Sequence, residues 1–158
     1  MTSQDEAKLS FVNPMLASKI RSLAEMMDLA GNPIKVITAL RTWADQAKLY
    51  AQGRTVPGQI VTDSPPGYSW HEMGLACDVA PISLLAETGW EPNNPLWPDM
   101  GNKGKSLGLF WGGDFQHLPD RPHFQLTGSY PESPNDEARQ VLLNNGMVGL
   151  WQSAGLAS

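Results

Sequence analysis

One cysteine, Cys77, among 158 residues excludes an internal disulfide framework and any zinc finger built on several thiolates. Lysine and arginine are scarce, 11 against 16 acidic residues, and nowhere form a run. At a net charge of −5 the chain lacks the clustered cations that neutralise phosphates. Nucleic acid is therefore not an expected partner. No apolar run approaches the ~18 residues that a membrane span requires. The first ten residues are polar and carry Asp5 and Glu6. They lack a basic start followed by an apolar core, so no secretory signal is expected.

What is present suits one soluble domain over residues 1–158, large enough for its own core. Fifteen glycines and 13 prolines favour a loop-rich α+β fold over a helical bundle. Residues 1–12 read as a flexible lead. Asn13-Pro14 is a helix start, with Leu16, Ile20, Leu23 and Met27 at helical spacing and Gly31 as the stop. Pro33 to Leu40 reads as a strand, and Thr42 caps a second helix that runs to Gly53. A loop rich in Gly and Pro leads to Leu75–Ile82, read as a strand with Ala76 and Asp78 on one face. Residues 83–102 read as a long excursion containing Trp90 and Trp97, which either line a groove or simply pack. A short helix over Lys103–Leu109 and an aromatic-flanked turn over Phe110–Phe115 follow. His123–Thr127 reads as a strand with Pro122 at its start. A helix from about Asn135 to Leu143 opens a C-terminal tail, residues 129–158, expected to pack on the domain.

Two of the three histidines stand in segments suited to metal binding. His71 lies in Ser69-Trp70-His71-Glu72-Met73-Gly74-Leu75-Ala76-Cys77-Asp78, and His123 in Asp120-Arg121-Pro122-His123-Phe124. Two imidazoles and one carboxylate make a three-ligand zinc site with a position left for water. By spacing alone, a structural role for His71, Asp78 and His123 is about equally well supported. Asp120, in a turn constrained by Pro122, is a candidate general base; taken alone it also reads as a loop aspartate paired with Arg121. Glu72 competes for that role, but Leu75 and Gly74 exclude an HExxH helix. Arg41 can hold a substrate carboxylate or a developing oxyanion, or be a surface arginine. Ser69 can orient His71 or a substrate group, or serve as a cap. Asp114 is either a hydrogen-bond partner of a ligand imidazole or a turn residue. Cys77 reads as a buried small hydrophobe rather than a nucleophile. His117 reads as an exposed loop residue with a minor claim to a ligand or transition-state role.

Taken together these segments resemble a known family. Ser69-x-His71-x-x-Gly74-x-Ala76-x-Asp78 resembles the SxHxxGxAxD signature of zinc peptidases related to D-alanyl-D-alanine carboxypeptidases. Asp120-x-Pro122-His123-Phe124 resembles their second ligand motif. Leu40-Arg41-Thr42, the run from Gln46 to Thr55, and Trp111-Gly112-Gly113-Asp114-Phe115 resemble the branch containing L-alanyl-D-glutamate endopeptidases, many of them phage endolysins or bacterial wall hydrolases. The resemblance covers roughly residues 14–128 in order. It implies a small antiparallel sheet flanked by helices, the hedgehog and D-Ala-D-Ala-peptidase-like zinc fold. It implies one zinc ion on His71, Asp78 and His123, Asp120 as base, and Arg41 and Ser69 as substrate or transition-state contacts. Gln46 falls on a family position without an assigned role.

The function implied is zinc-dependent hydrolysis of the peptidoglycan stem peptide by a monomer, with the L-Ala-D-Glu bond as first choice. D-Ala-D-Ala carboxypeptidase activity is the alternative within the enzyme class. A non-catalytic zinc-binding domain, as in hedgehog signalling proteins, is the alternative outside it, and Asp120 argues against it. The expected localisation is synthesis in the cytoplasm and action at the bacterial wall or periplasm after holin-, secretion- or lysis-dependent release.

Overall fold

The expected flexible lead is instead a docked helix. In the computed structural model, which describes residues 1–85 and 91–156, α1 spans Ser3–Leu9. Thr2 and Asp5 form a reciprocal capping box at its start. The Asp5 carboxylate also reaches across the fold, where Oδ1 accepts the Val36 N–H at 2.9 Å. Leu9 and Val12 enter the core. The capping signal Thr2-x-x-Asp5 lies in plain sight in the sequence, but the long-range partner that anchors the helix does not.

The Asn13 side chain caps α2 (Pro14–Leu29) through the N–H groups of Met15 and Leu16. Its Leu16, Ile20, Leu23 and Met27 are buried, as their spacing predicts. β1 (Ile34–Thr38) and α3 (Trp43–Ala51), the latter capped by Thr42, also follow the sequence reading. β2 (Ala76–Pro81) runs directly into the short α4 (Ile82–Leu85).

The sequence reading starts the next helix only at Lys103, whereas α5 spans Leu96–Ser106. Pro95 and Pro98 are compatible with that start because the first-turn N–H groups of a helix have no carbonyl partner to lose. Trp97 packs at 1% exposure, and Trp90 lies outside the described residues. β3 (Phe110–Trp111), a 3-10 turn (Gly112–Asp114) and β4 (His123–Gln125) follow. The last helix, α6 (Asp136–Ser153), continues well past Leu143 through a break at Gly146, where φ is 70°.

The four strands lie in the order β1-β2-β4-β3 with antiparallel neighbours. Cys77 stands opposite Phe124, and both sink into the larger core with α2 and α5. The alternation then turns the facing pair Asp78 and His123 to the opposite side. On that side a second apolar cluster joins Trp70, Met73 and Leu75 to Tyr130, Leu150 and Trp151. It fixes the His71 turn from beneath, and the Trp151 indole donates to the Met73 carbonyl at 2.9 Å.

Candidate metal centre

Three donor atoms meet above the middle of the sheet. His71 Nε2 lies 3.1 Å from His123 Nδ1 and 3.1 Å from Asp78 Oδ1. His123 Nδ1 lies 3.3 Å from Asp78 Oδ1. His71 arrives on a tight turn that Gly74 closes at φ 66°, with the Trp151 ring 3.0 Å from where a β-carbon would stand. Asp78 and His123 are cross-strand partners.

Each imidazole has its proton directed away from this point. The far nitrogen of His71, Nδ1, donates to the Ala39 carbonyl at 2.9 Å, which leaves Nε2 bare. His123 is held the other way round, with Nε2 2.9 Å from Gln125 Oε1 and Nδ1 turned to the cluster. Asp78 Oδ1 is buried and has no hydrogen-bond partner among the described residues. A buried anionic oxygen facing two bare nitrogens calls for a cation. Tetrahedral bonds of about 2.0–2.1 Å put ligand atoms about 3.3–3.4 Å apart, close to the spacing found. The residues therefore fit a zinc ion.

The electrostatics agree. Burial alone raises the pKa of Asp78, but the imidazoles of His71 and His123 outweigh it and hold this carboxyl well below the usual range. Burial lowers that of His123, and the Asp78 and Asp120 carboxylates reverse the effect and raise it. Asp120 is raised, first by desolvation where its carboxyl is crowded and then by repulsion from Asp78, although the residue as a whole is exposed.

The cluster opens into a cleft of about 280 Å³ whose lining includes Arg41, Ser69, His71, Asp120 and His123. Asp120 is fixed at its backbone: its N–H donates to the Gly112 carbonyl at 2.9 Å, and its carbonyl accepts the His123 N–H at 3.2 Å. Arg41 Nη2 stands 3.5 Å from Asp78 Oδ2, the oxygen turned away from the two imidazoles. Its Nη1 donates to Gln46 Oε1 at 2.9 Å, and its backbone N–H to the His71 carbonyl at 3.1 Å. A carboxylate, a guanidinium and two of the three converging donor residues thus line one cleft, an arrangement chemically able to hydrolyse a carbonyl compound.

The sequence profile of the D-alanyl-D-alanine carboxypeptidase family matches residues 62–126, the segment holding His71, Asp78, Asp120 and His123. The chain is 30% identical over 130 residues to the peptidoglycan L-alanyl-D-glutamate endopeptidase CwlK of Bacillus subtilis (strain 168), covering 78% of each protein. This chain belongs to that peptidase family. The L-Ala D-Glu endopeptidase ChiX of Serratia marcescens superposes with a TM-score of 0.57 at 27% identity, over 80% of this chain and 89% of that one. A vancomycin-resistance D,D-pentapeptidase VanY, solved with Zn(II), shares the fold at a TM-score of 0.55 and 16% identity, over 85% and 79%.

Not every residue singled out in this family member reaches the cleft. Asp114 pairs with Lys105 at 2.8 Å on the surface and touches neither imidazole. Glu72 is buried beneath the turn, where its carboxylate accepts the N–H groups of Gly67 and Ser69. Its part is to shape the segment that carries Ser69 into the cleft. Cys77 is buried, and burial pushes its thiol well up. His117 does line the cleft, beside Leu118, which holds a φ of 48°. A leucine in the left-handed region is strained, a condition that clusters at functional sites. Sequence reasoning attaches no role to Gln46 or Gln125, yet each hydrogen-bonds a site residue. For Gln125 the signal is its place two residues after His123 on a strand; for Gln46 it is the family position on which it falls.

Proposed function

We propose that this chain is a zinc-dependent peptidoglycan peptidase that cleaves the L-alanyl-D-glutamate bond of the stem peptide. The observation carrying this reading is the buried triangle of His71, Asp78 and His123, open to a cleft that also holds Asp120 and Arg41. The choice of bond rests on the likeness to the two endopeptidases.

His71 Nε2, Asp78 Oδ1 and His123 Nδ1 would hold the metal. Zinc there would supply Lewis acidity and lower the pKa of a water toward ~7. A carboxylate oxygen of Asp120 takes the proton of the attacking water and returns it to the nitrogen of the leaving amine. Arg41, steadied by Gln46, steers its guanidinium toward negative charge developing on the carbonyl oxygen. Ser69 contacts the peptide on the cleft wall. The net charge of −5 supports a substrate other than nucleic acid. The protein works as a monomer at the wall, reached by lysis, a holin or secretion.

Digestion of purified peptidoglycan, with and without chelator, tests this through mass analysis of the fragments. The expected products are peptides beginning at D-Glu, with L-Ala left on the glycan, and chelator abolishes their release. Loss of a terminal D-Ala alone moves the assignment to carboxypeptidase. A folded, zinc-loaded protein that cuts nothing sinks the enzymatic reading.

A further inference from the structure

The hydrogen bonds behind His123 run further than a single partner. Gln125 is 2% exposed and spends both ends of its amide. Oε1 faces His123 Nε2 at 2.9 Å, and Nε2 donates to the Glu132 carbonyl at 2.7 Å. That carbonyl also accepts the Trp70 indole N–H at 2.8 Å, so both of its lone pairs are used. Trp70 precedes His71, and Gln125 lies two residues beyond His123. One backbone carbonyl in the connection between β4 and α6 is thereby tied to both histidine segments. Glu132 also lies beyond the segment matched by the family profile, residues 62–126.

We propose that Gln125 is a positioning residue for the metal, and that the Glu132 carbonyl, acting through it, selects which nitrogen of His123 is offered. The Glu132 oxygen only accepts, so the Gln125 NH₂ must turn toward it. Oε1 is then forced toward His123 and also only accepts. His123 must therefore carry its proton on Nε2, and the Nδ1 lone pair faces the cluster. If the amide flipped, two acceptors would oppose each other at Glu132. His123 would then take its proton on Nδ1, 3.3 Å from Asp78 Oδ1, and the metal position would be blocked. The amide thus acts as a one-way link between the C-terminal connection and the metal ligand.

The inference rests on zinc occupying the cluster, and the test separates the two. Zinc affinity is measured by chelator competition for the wild type, Gln125→Met and Gln125→Glu. Methionine keeps the volume and removes the acceptor; glutamate keeps the acceptor. The expected result is about 10–100-fold weaker binding for Q125M. Q125E, protonated on the oxygen that faces the Glu132 carbonyl, keeps both the donor and the acceptor and should stay within about threefold of wild type. Long-range ¹H–¹⁵N spectra of the zinc-loaded wild type should show His123 bound through Nδ1 and His71 through Nε2. Unchanged affinity in Q125M overturns the proposal, as does equal weakening in both variants or coordination of His123 through Nε2. Should Q125M fail to fold, Q125E and the spectrum decide on the same terms. Wild-type protein that binds no zinc overturns the zinc reading, and the relay with it.

Discussion

Asp120 and Gly112 fail in different ways when altered, and the contrast tests the site residue by residue. Asp120→Asn removes the proposed proton acceptor but keeps the shape. We expect kcat to fall by about 10²–10⁴ with zinc content unchanged, measured by peptide release and metal analysis. Gly112 is needed for close approach. A β-carbon there would stand 2.6 Å from the Asp120 carbonyl oxygen, 2.8 Å from His123 Cβ and 2.9 Å from the Phe115 ring. Gly112→Ala must push Asp120 and His123 apart, at a cost of about 1–3 kcal/mol. It should lose activity and zinc affinity together, and normal zinc binding in that variant would contradict the packing argument. The proposed metal ligands and the proposed base stand in motifs that the sequence displays, because short donor-bearing side chains recur there at fixed spacing. Gln125 and Gln46 were not legible as site residues, since their partners, the Glu132 and Ser64 carbonyls, are backbone groups that only the fold brings near. The φ of Leu118 leaves no trace in residue type either, because a leucine carries no preference for that region.

Among the elements, α1 depends most on a single side chain. Asp5 is buried at 1% exposure; burial raises the pKa of its carboxyl, but bonds from Thr2 and the Val36 N–H, with Lys8 nearby, bring it below the ordinary 3.8. The folded carboxyl thus gives up its proton more readily than the unfolded one. Its stabilisation is complete above that ordinary value and is lost as pH falls through the lower folded value. We expect α1 to undock in acid before the rest unfolds, seen as early loss of hydrogen-exchange protection at the Val36 amide. Asp5→Ala leaves that buried N–H unpaired and should cost about 1–3 kcal/mol in denaturant unfolding. α2, β1, α3, β2 and β4 were legible from periodicity and caps. α5 was not, since Pro95 and Pro98 mimic a loop while occupying positions where a helix tolerates them. α6 extends past Asn144-Asn145-Gly146, a sequence stop that its apolar second half overrides through Leu150 and Trp151.

For the molecule as a whole, the cation site lies between the sheet and the second apolar cluster, so metal binding and folding are linked. Zinc at 100 times its dissociation constant should add about 2.7 kcal/mol, or roughly 5–10 °C in Tm. Calorimetry with zinc or chelator checks this, and an unchanged Tm would mean that folded protein does not take up the metal. The α+β class was legible from the Gly and Pro content and from the family resemblance, whereas the strand order was not, because pairing between distant segments leaves no local pattern. That pairing has a consequence for the order of events during synthesis. The two histidines stand 52 residues apart and meet only when β4 docks beside β2. A nascent chain that has released α1, β1 and β2 from the ribosome holds one imidazole and one carboxylate, too few donors to retain the ion. The three donors therefore come together only once β4 has joined the sheet.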